Sequence, residues 1–153
     1  MDCPPPPRLG CSTVDGFSFS TDVAVRFAET DAQGIAHNSA YLVWFEVARV
    51  AYLDAYAGGY PALRAKGIEA FVTEAQVRYR EPARFHDRLT INARCVDVRG
   101  ARFRFEYVIV RDSDGATVAE GETQHACVDG TTFRPTRVPE WLRQAIAAAE
   151  NPV

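Results

Sequence analysis

The residues whose types and spacing could do chemistry are Asp31, Gly34, His37 and Asn38, which lie in one polar stretch before a long apolar segment. Asp31 follows a segment that predicts a strand, and the residues after Asn38 predict a helix. A helix N-terminus carries unpaired N–H groups and the positive end of the helix dipole. A carboxylate can attack a carbonyl or activate water, while an N–H can stabilise the developing oxyanion. This arrangement has the parts needed for acyl transfer.

A structural role for the same residues stays open. An Asp before a helix is commonly a turn or cap residue, and Gly34 permits a turn that other residues resist. His37 could be an ordinary loop histidine. Asn38 or Ser39 could cap the helix, because a short side-chain oxygen can accept from the first N–H groups.

Residues 39–57 predict a long helix that is apolar on nearly every side. Such a helix is buried on all faces, and its charged residues Glu46, Arg49 and Asp54 argue against a membrane span. We therefore expect a central helix wrapped by a sheet. Glu46 and Arg49 are one turn apart and are predicted to pair.

Five further segments show strand periodicity or are bounded by turn signals, and one shows a C-terminal helix pattern. The strands are predicted at residues 17–27, 68–80, 88–98, 102–110 and 116–128, and the helix at 139–150. Tight turns such as that at Asp114 and Gly115 predict that the successive strands after the helix are antiparallel neighbours. The fold class is α+β, with one antiparallel sheet of about five strands around the central helix. The sheet edges favour a dimer with a continuous sheet.

The composition limits the class of protein. The chain has 153 residues and a net charge of -3, which indicates one domain and gives no basic surface for nucleic acid. We expect that domain at residues 17–153, after a flexible proline-rich tail at residues 1–16. No signal peptide or membrane span is predicted, so a cytoplasmic location is expected. Cysteine spacing predicts no metal site and fits a reducing compartment.

Two motifs resemble those of a known family, the hotdog-fold acyl-CoA thioesterases of the 4-hydroxybenzoyl-CoA thioesterase/YbgC type. The first is Phe27-x-Glu29-Thr30-Asp31-x-x-Gly34-Ile35, followed by Asn38, Tyr41 and Phe45-Glu46-x-x-Arg49. The second is Glu81-Pro82-Ala83-Arg84-Phe85-x-Asp87-x-Leu89. The likeness covers residues 22–128, and it implies a hotdog fold and thioester hydrolysis. It also implies no cofactor apart from the CoA of the substrate.

The resemblance implies a role for each residue of the polar stretch. Asp31 matches the catalytic carboxylate, Gly34 the loop glycine, and Asn38 the residue whose backbone N–H faces the thioester carbonyl. Tyr41 matches a position that lines the acyl pocket, although core packing explains it equally well. Many YbgC-like proteins carry Tyr-His before the helix. Here the pair is His37-Asn38, so the histidine is displaced by one position and stays a candidate site residue.

The resemblance also implies partners. The substrate is an acyl-CoA or acyl-carrier-protein thioester, bound in a pocket at the interface of a homodimer, which can pair further into a tetramer. Thr73, Glu74 or Gln76 of the other subunit could contact the reacting group. Arg99 and Arg102 are candidates for binding the CoA phosphates, with a solvated surface as the alternative. The acyl group is expected to depend on pocket residues such as Tyr41, Trp44, Phe71 and Tyr79.

Two other functions are compatible with the fold. A hotdog hydratase or dehydratase needs a histidine–acid pair to move protons on carbon, and the chain offers His37, His86 and His125. A non-catalytic acyl-binding module is the second alternative. None of the three histidines sits in a pattern typical of the hydratase branch, and the combination of Asp31, Gly34 and Asn38 argues against the binding module.

Overall fold

The computed structural model describes residues 8–9 and 14–151. Most of the predicted flexible tail therefore lies outside the described residues. The strands are β1 Arg8–Leu9, β2 Phe19–Ala24, β3 Ile68–Tyr79, β4 Arg88–Arg99, β5 Arg102–Arg111 and β6 Thr117–Asp129. The helices are α1 Ala40–Ala57, α2 Gly59–Ala65 and α3 Glu140–Glu150, with a short 3₁₀ helix at Phe27–Glu29.

The strands form one antiparallel sheet in the order β1-β2-β4-β5-β6-β3. The prediction that β3 and β4 are neighbours was wrong, because β3 pairs with β6 along its whole length. The eight residues 80–87 between β3 and β4 form a connection too long for a tight hairpin turn. They lead from β3, at one edge of the sheet, past β6 and β5 to β4. β3 is thereby left as an edge strand.

The inner face of the curved sheet packs against α1. Phe45 of α1 stacks on Tyr107 of β5 with ring centroids 4.2 Å apart, and both side chains are buried. Gly121 of β6 makes this approach possible. A Cβ there would lie 2.6 Å from the Phe45 ring and 2.3 Å from the Gln76 carbonyl oxygen.

The prediction that α1 is buried on all faces was wrong. Leu42, Val43 and Val47 are 42%, 47% and 40% exposed. The sheet covers only one side of the helix, so the opposite apolar face has no cover within the described residues. Apolar periodicity cannot distinguish a face that meets the chain's own sheet from one available to another molecule.

Arg49 and Glu46 do not pair. Arg49 points into the interior, where its Nε donates to the Tyr60 hydroxyl at 3.2 Å and its Nη1 to the Tyr107 hydroxyl at 3.4 Å, while Glu46 is exposed. The two side chains lie on different sides of the boundary between the buried and the solvent faces of α1.

Two further features bear on the predictions. Strand β2 ends at Ala24, three residues earlier than predicted, because the chain turns into the 3₁₀ helix.

Cys95 and Cys127 are buried free thiols, as expected for small apolar core residues. Among the described residues, no helix is long and apolar enough to cross a membrane.

Candidate active site

The segment that carries Asp31 is a compact loop closed by its own backbone. A bridge joins Thr30 to Ala36, the Asp31 N–H donates to the Ile35 carbonyl at 2.9 Å, and the Gly34 N–H donates to the Asp31 carbonyl at 2.9 Å. Gly34 has a φ of 78°, in the left-handed region that glycine adopts without strain. The loop therefore requires the glycine that the sequence motif contains.

The Asp31 carboxylate is half-buried and borders a cavity of about 380 Å³. Its Oδ1 accepts a hydrogen bond from the Gln33 N–H at 2.8 Å. Within the described part of the chain, no donor bonds Oδ2. One oxygen thus orients the carboxylate and the other is available for chemistry.

The backbone at the start of α1 presents an unused donor to the same cavity. The peptide unit between His37 and Asn38 is trans, and its carbonyl accepts from the Ala40 N–H at 2.9 Å. In a trans peptide the N–H points opposite to the C=O, so the Asn38 N–H points away from the helix. It has no acceptor among residues 8–9 and 14–151, and Asn38 lines the cavity.

Ser39 is the N-cap residue of α1, one of the two residues predicted to cap it, but the predicted capping hydrogen bond from its side chain is absent. Instead the His37 Nδ1 accepts from the Ser39 N–H at 3.2 Å and shares a 2.7 Å hydrogen bond with the Ser39 hydroxyl. The structure gives His37 a structural task at the edge of the site. The sequence missed it because histidine is an uncommon cap.

The remaining cavity wall is aromatic and polar. Tyr41 is buried and packs edge-on against Tyr79, with ring centroids 5.0 Å apart. Burial raises the pKa of the Tyr41 phenol, and the Ala83 N–H that bonds to it acts in the opposite direction. The cavity-lining residues are Asp31, Gln33, Ile35, Ala36, Asn38, Tyr41, Tyr79, Arg80, Glu81 and Pro82.

Glu29 holds the loop against α1, a role that the sequence did not reveal. Its Oε2 accepts from the Trp44 indole N–H at 3.2 Å and from the Arg26 backbone N–H at 3.1 Å. Its backbone carbonyl accepts from the His37 N–H at 2.7 Å. Glu29 belongs to the motif quoted above, but Trp44 is 15 residues away, so only folding brings the pair together.

Three predicted binding residues do not line the cavity of their own subunit. Thr73 sits at the irregularity in β3, on the exposed edge of the sheet, and its hydroxyl donates to the Gln124 carbonyl. Arg99 and Arg102 pair opposite each other at the β4–β5 turn. Their roles stay predictions that depend on a second subunit.

The strand register measures this separation. Tyr79 lies opposite Ala119 of β6, and Arg102 lies opposite Ala126. The positions of Tyr79 and Arg102 are therefore seven residue steps apart along β6, roughly 23 Å at about 3.3 Å per step. Phe71 is also at the far end, where it stacks on Phe133, so it does not shape the described cavity.

The described residues contain no group of three or more His, Cys, Asp or Glu side chains that could hold a metal ion. The residues that line the cavity supply the carboxylates of Asp31 and Glu81, the guanidinium of Arg80, two phenols and the backbone of Asn38.

Comparison with known proteins places this arrangement in a family. The sequence model of the thioesterase-like superfamily matches residues 25–146. The chain belongs to this superfamily. The acyl-CoA thioester hydrolase YbgC of Escherichia coli O6:H1 is 30% identical over 80% of this chain and 90% of its own length. The putative acyl-CoA thioesterase YneP of Bacillus subtilis is 28% identical over 78% of this chain and 89% of its own.

A solved structure of a thioesterase is also similar to this chain. A thioesterase from Thermus thermophilus, complexed with coenzyme A and zinc, superimposes with a TM-score of 0.78 at 26% identity, covering 92% of this chain and all of that one. These matches confirm two predictions: the family resemblance indicated by the two motifs, and the hotdog fold.

Proposed function

We propose that this chain hydrolyses acyl-CoA thioesters, releasing a free acid and CoA. The observation that carries the proposal is that the Asp31 carboxylate and the unused Asn38 N–H border one cavity. The names of the YbgC and YneP relatives support this reaction. An acyl-carrier-protein thioester is the other substrate class that the same chemistry serves.

The geometry suggests a sequence of steps. The thioester carbonyl oxygen faces the Asn38 N–H, which together with the helix dipole stabilises the oxyanion of the tetrahedral intermediate. In the general-base route, Asp31 takes a proton from water, and the water oxygen attacks the thioester carbon. The intermediate then collapses by breaking the C–S bond, and the CoA thiolate takes up the proton held by Asp31.

In the nucleophilic route, Asp31 itself attacks and forms a mixed anhydride, which water then hydrolyses. A single turnover in ¹⁸O-labelled water tests for an anhydride that water opens at the Asp31 carbonyl. Label in the product acid shows that water attacks the acyl carbon, as the general-base route requires. Label in the Asp31 side chain, with unlabelled first product, supports the nucleophile.

The test of the function is thiol release from short, medium, long and aromatic acyl-CoA esters and from acyl-carrier-protein esters. We expect hydrolysis of at least one class, and the preferred acyl group will define the substrate. Failure of the folded wild-type protein to cleave any CoA or carrier-protein ester would contradict the proposal and favour an acyl-binding module.

The histidines do not favour a hydratase or dehydratase. All three lie in the described part of the chain and none lines the Asp31 cavity. His37 is bonded to Ser39, His86 stacks on Phe85, and His125 is buried beside Thr123. No histidine–acid pair among the described residues therefore lines the Asp31 cavity.

We further propose that two copies form a dimer through the apolar face of α1 and the edge of β3. Leu42, Val43 and Val47 are exposed on the helix, and Val72 is 49% exposed on the strand. A second copy covering these surfaces would bring its Thr73 edge toward the first copy's cavity. This would complete the predicted shared pocket.

Light scattering coupled to size exclusion tests the assembly. We expect a mass of two chains or four for the wild type, and a shift toward monomer for Val47→Glu. Gln144→Glu, on the solvent side of α3, is the matched control and should leave the mass unchanged. A monomeric wild type would contradict the dimer.

A further inference from the structure

The hydroxyl of Tyr79 contacts the backbone of the residue that carries the oxyanion donor. It donates a 2.8 Å hydrogen bond to the Asn38 carbonyl. Tyr79 is the last residue of β3, whereas Asn38 immediately precedes the first turn of α1. The bond therefore joins two elements 41 residues apart in sequence.

This bond completes the restraint of Asn38 on both sides. The carbonyl that precedes its N–H is held by the Ala40 N–H, and the carbonyl that follows is held by Tyr79. With both flanking peptide units held, rotation about the Asn38 backbone is restricted, and the N–H keeps its direction away from the helix. Without Tyr79, the second unit would be held only through the Ser39 N–H, which donates to the His37 Nδ1 at 3.2 Å.

The ring of Tyr79 is held separately from its hydroxyl. It packs edge-on against Tyr41, which is itself buried. The aromatic contact therefore aims the hydroxyl at the Asn38 carbonyl. Removing the oxygen alone should leave the ring, the strand and the cavity wall in place.

We propose that Tyr79 is a positioning residue that holds the Asn38 N–H in line with the thioester carbonyl. This inference rests on the proposed function. Tyr79 acts through the backbone of Asn38 and adds no donor of its own to the substrate. Its hydroxyl should lower the energy of the transition state, because the Asn38 N–H stabilises the oxyanion only when it points at it.

The first test is the steady-state kinetics of Tyr79→Phe beside Tyr56→Phe. Tyr56 is a half-buried phenol of α1 that lies outside the cavity. We expect kcat of Tyr79→Phe to fall about 10-fold, the effect of losing one hydrogen bond in the transition state. KM should stay within about twofold, and Tyr56→Phe should match the wild type. A kcat within about twofold of the wild type would overturn the proposal.

A pair of unreactive CoA analogues separates positioning from substrate contact. A methylene ketone keeps the carbonyl that the Asn38 N–H would bind, whereas a thioether lacks it. We expect Tyr79→Phe to bind both analogues within about twofold of the wild type, because the restraint acts on the oxyanion of the transition state and neither analogue carries one. An equal loss for both analogues would mean that the hydroxyl binds the substrate directly, which would overturn the positioning role.

Hydrogen exchange provides a readout that needs no activity. The Ser39 and Ala40 amides belong to the turn that Tyr79 restrains, and they should exchange faster in Tyr79→Phe than in Tyr56→Phe. Unchanged exchange would contradict the restraint itself. An inactive wild type would contradict the proposed function, and the exchange experiment would still decide the role of Tyr79.

Discussion

The start and the middle of α1 use polar groups in opposite ways. At the start, the Asn38 N–H and one oxygen of Asp31 face a cavity without a bonding partner among the described residues. In the middle, Arg49 is only 6% exposed, yet it bonds the Tyr60 and Tyr107 hydroxyls. Tyr107 and Thr123 then share a 2.7 Å hydrogen bond, as do Thr123 and His125.

The contrast separates residues that stabilise the fold from residues available for chemistry. No buried side-chain nitrogen or oxygen lacks a partner within the described residues, as expected because an unpaired buried polar group is destabilising. Unused groups persist only where a ligand can reach them. Changes at the helix start should therefore alter catalysis, and changes in its middle should alter stability.

The largest effect is expected from Asp31→Asn. Removing the charge at nearly constant shape should lower kcat/KM at least about 100-fold, equivalent to about 2.7 kcal/mol of transition-state stabilisation. The melting temperature should stay close to that of the wild type. Glu140→Gln, at an exposed carboxylate of α3, is the control for charge. Full activity of Asp31→Asn would remove the catalytic assignment.

Tyr107→Phe should have the converse effect. Loss of its hydroxyl leaves Arg49 and Thr123 each without one buried partner, which should lower the free energy of unfolding by about 2 kcal/mol. We expect kcat to remain within about threefold of the wild type. Urea unfolding and steady-state kinetics measure the two quantities. A large fall in kcat at unchanged stability would show that the hydrogen-bonded series from Arg49 to His125 contributes to the reaction.

His125, the last residue of this hydrogen-bonded series, makes the stability of the protein depend on pH. Burial, aided by the charge of Arg49, lowers the pKa of His125 to about 3. Between this value and the ordinary pKa of about 6.5, only the unfolded chain binds the proton. The stabilisation is therefore complete above pH 6.5 and is lost as the pH falls.

From pH 7 to pH 5 this linkage should lower the free energy of unfolding by about 2 kcal/mol. His125→Gln should show a smaller decrease over the same range. Urea unfolding of both proteins at the two pH values measures the difference. An identical decrease in the variant would show that other groups carry the pH dependence.

The smallest effect is expected from His37→Ala. Loss of the bonds to Ser39 should lower stability by about 1 kcal/mol, as for other helix caps, and activity should fall less than about 10-fold. Thermal unfolding and thiol release measure the two. A loss of activity as large as that of Asp31→Asn would make the histidine catalytic and would revise the comparison.

Local patterns predicted much of the molecule. The five long strands, the central helix and the C-terminal helix were expected within a few residues of their observed bounds, because side-chain periodicity reports local geometry. The placement of Asp31 and Asn38 beside one cavity was also expected, because only the short loop 32–37 separates them. The long-range contacts were not predicted. Strand β3 pairs with β6 and not with β4, and Arg49 bonds Tyr60 and Tyr107 and not Glu46.

The amino-acid sequence by itself determined the elements, the hotdog family and the polar loop at the helix start, because each depends on residues close together in the chain. Only the tertiary structure decided that Tyr79 bonds Asn38, that Glu29 bonds Trp44, and that one face of α1 stays uncovered within the described part of the chain. These features depend on which strand lies beside which and on the direction of each side chain. Such contacts join distant residues, and no local pattern encodes them.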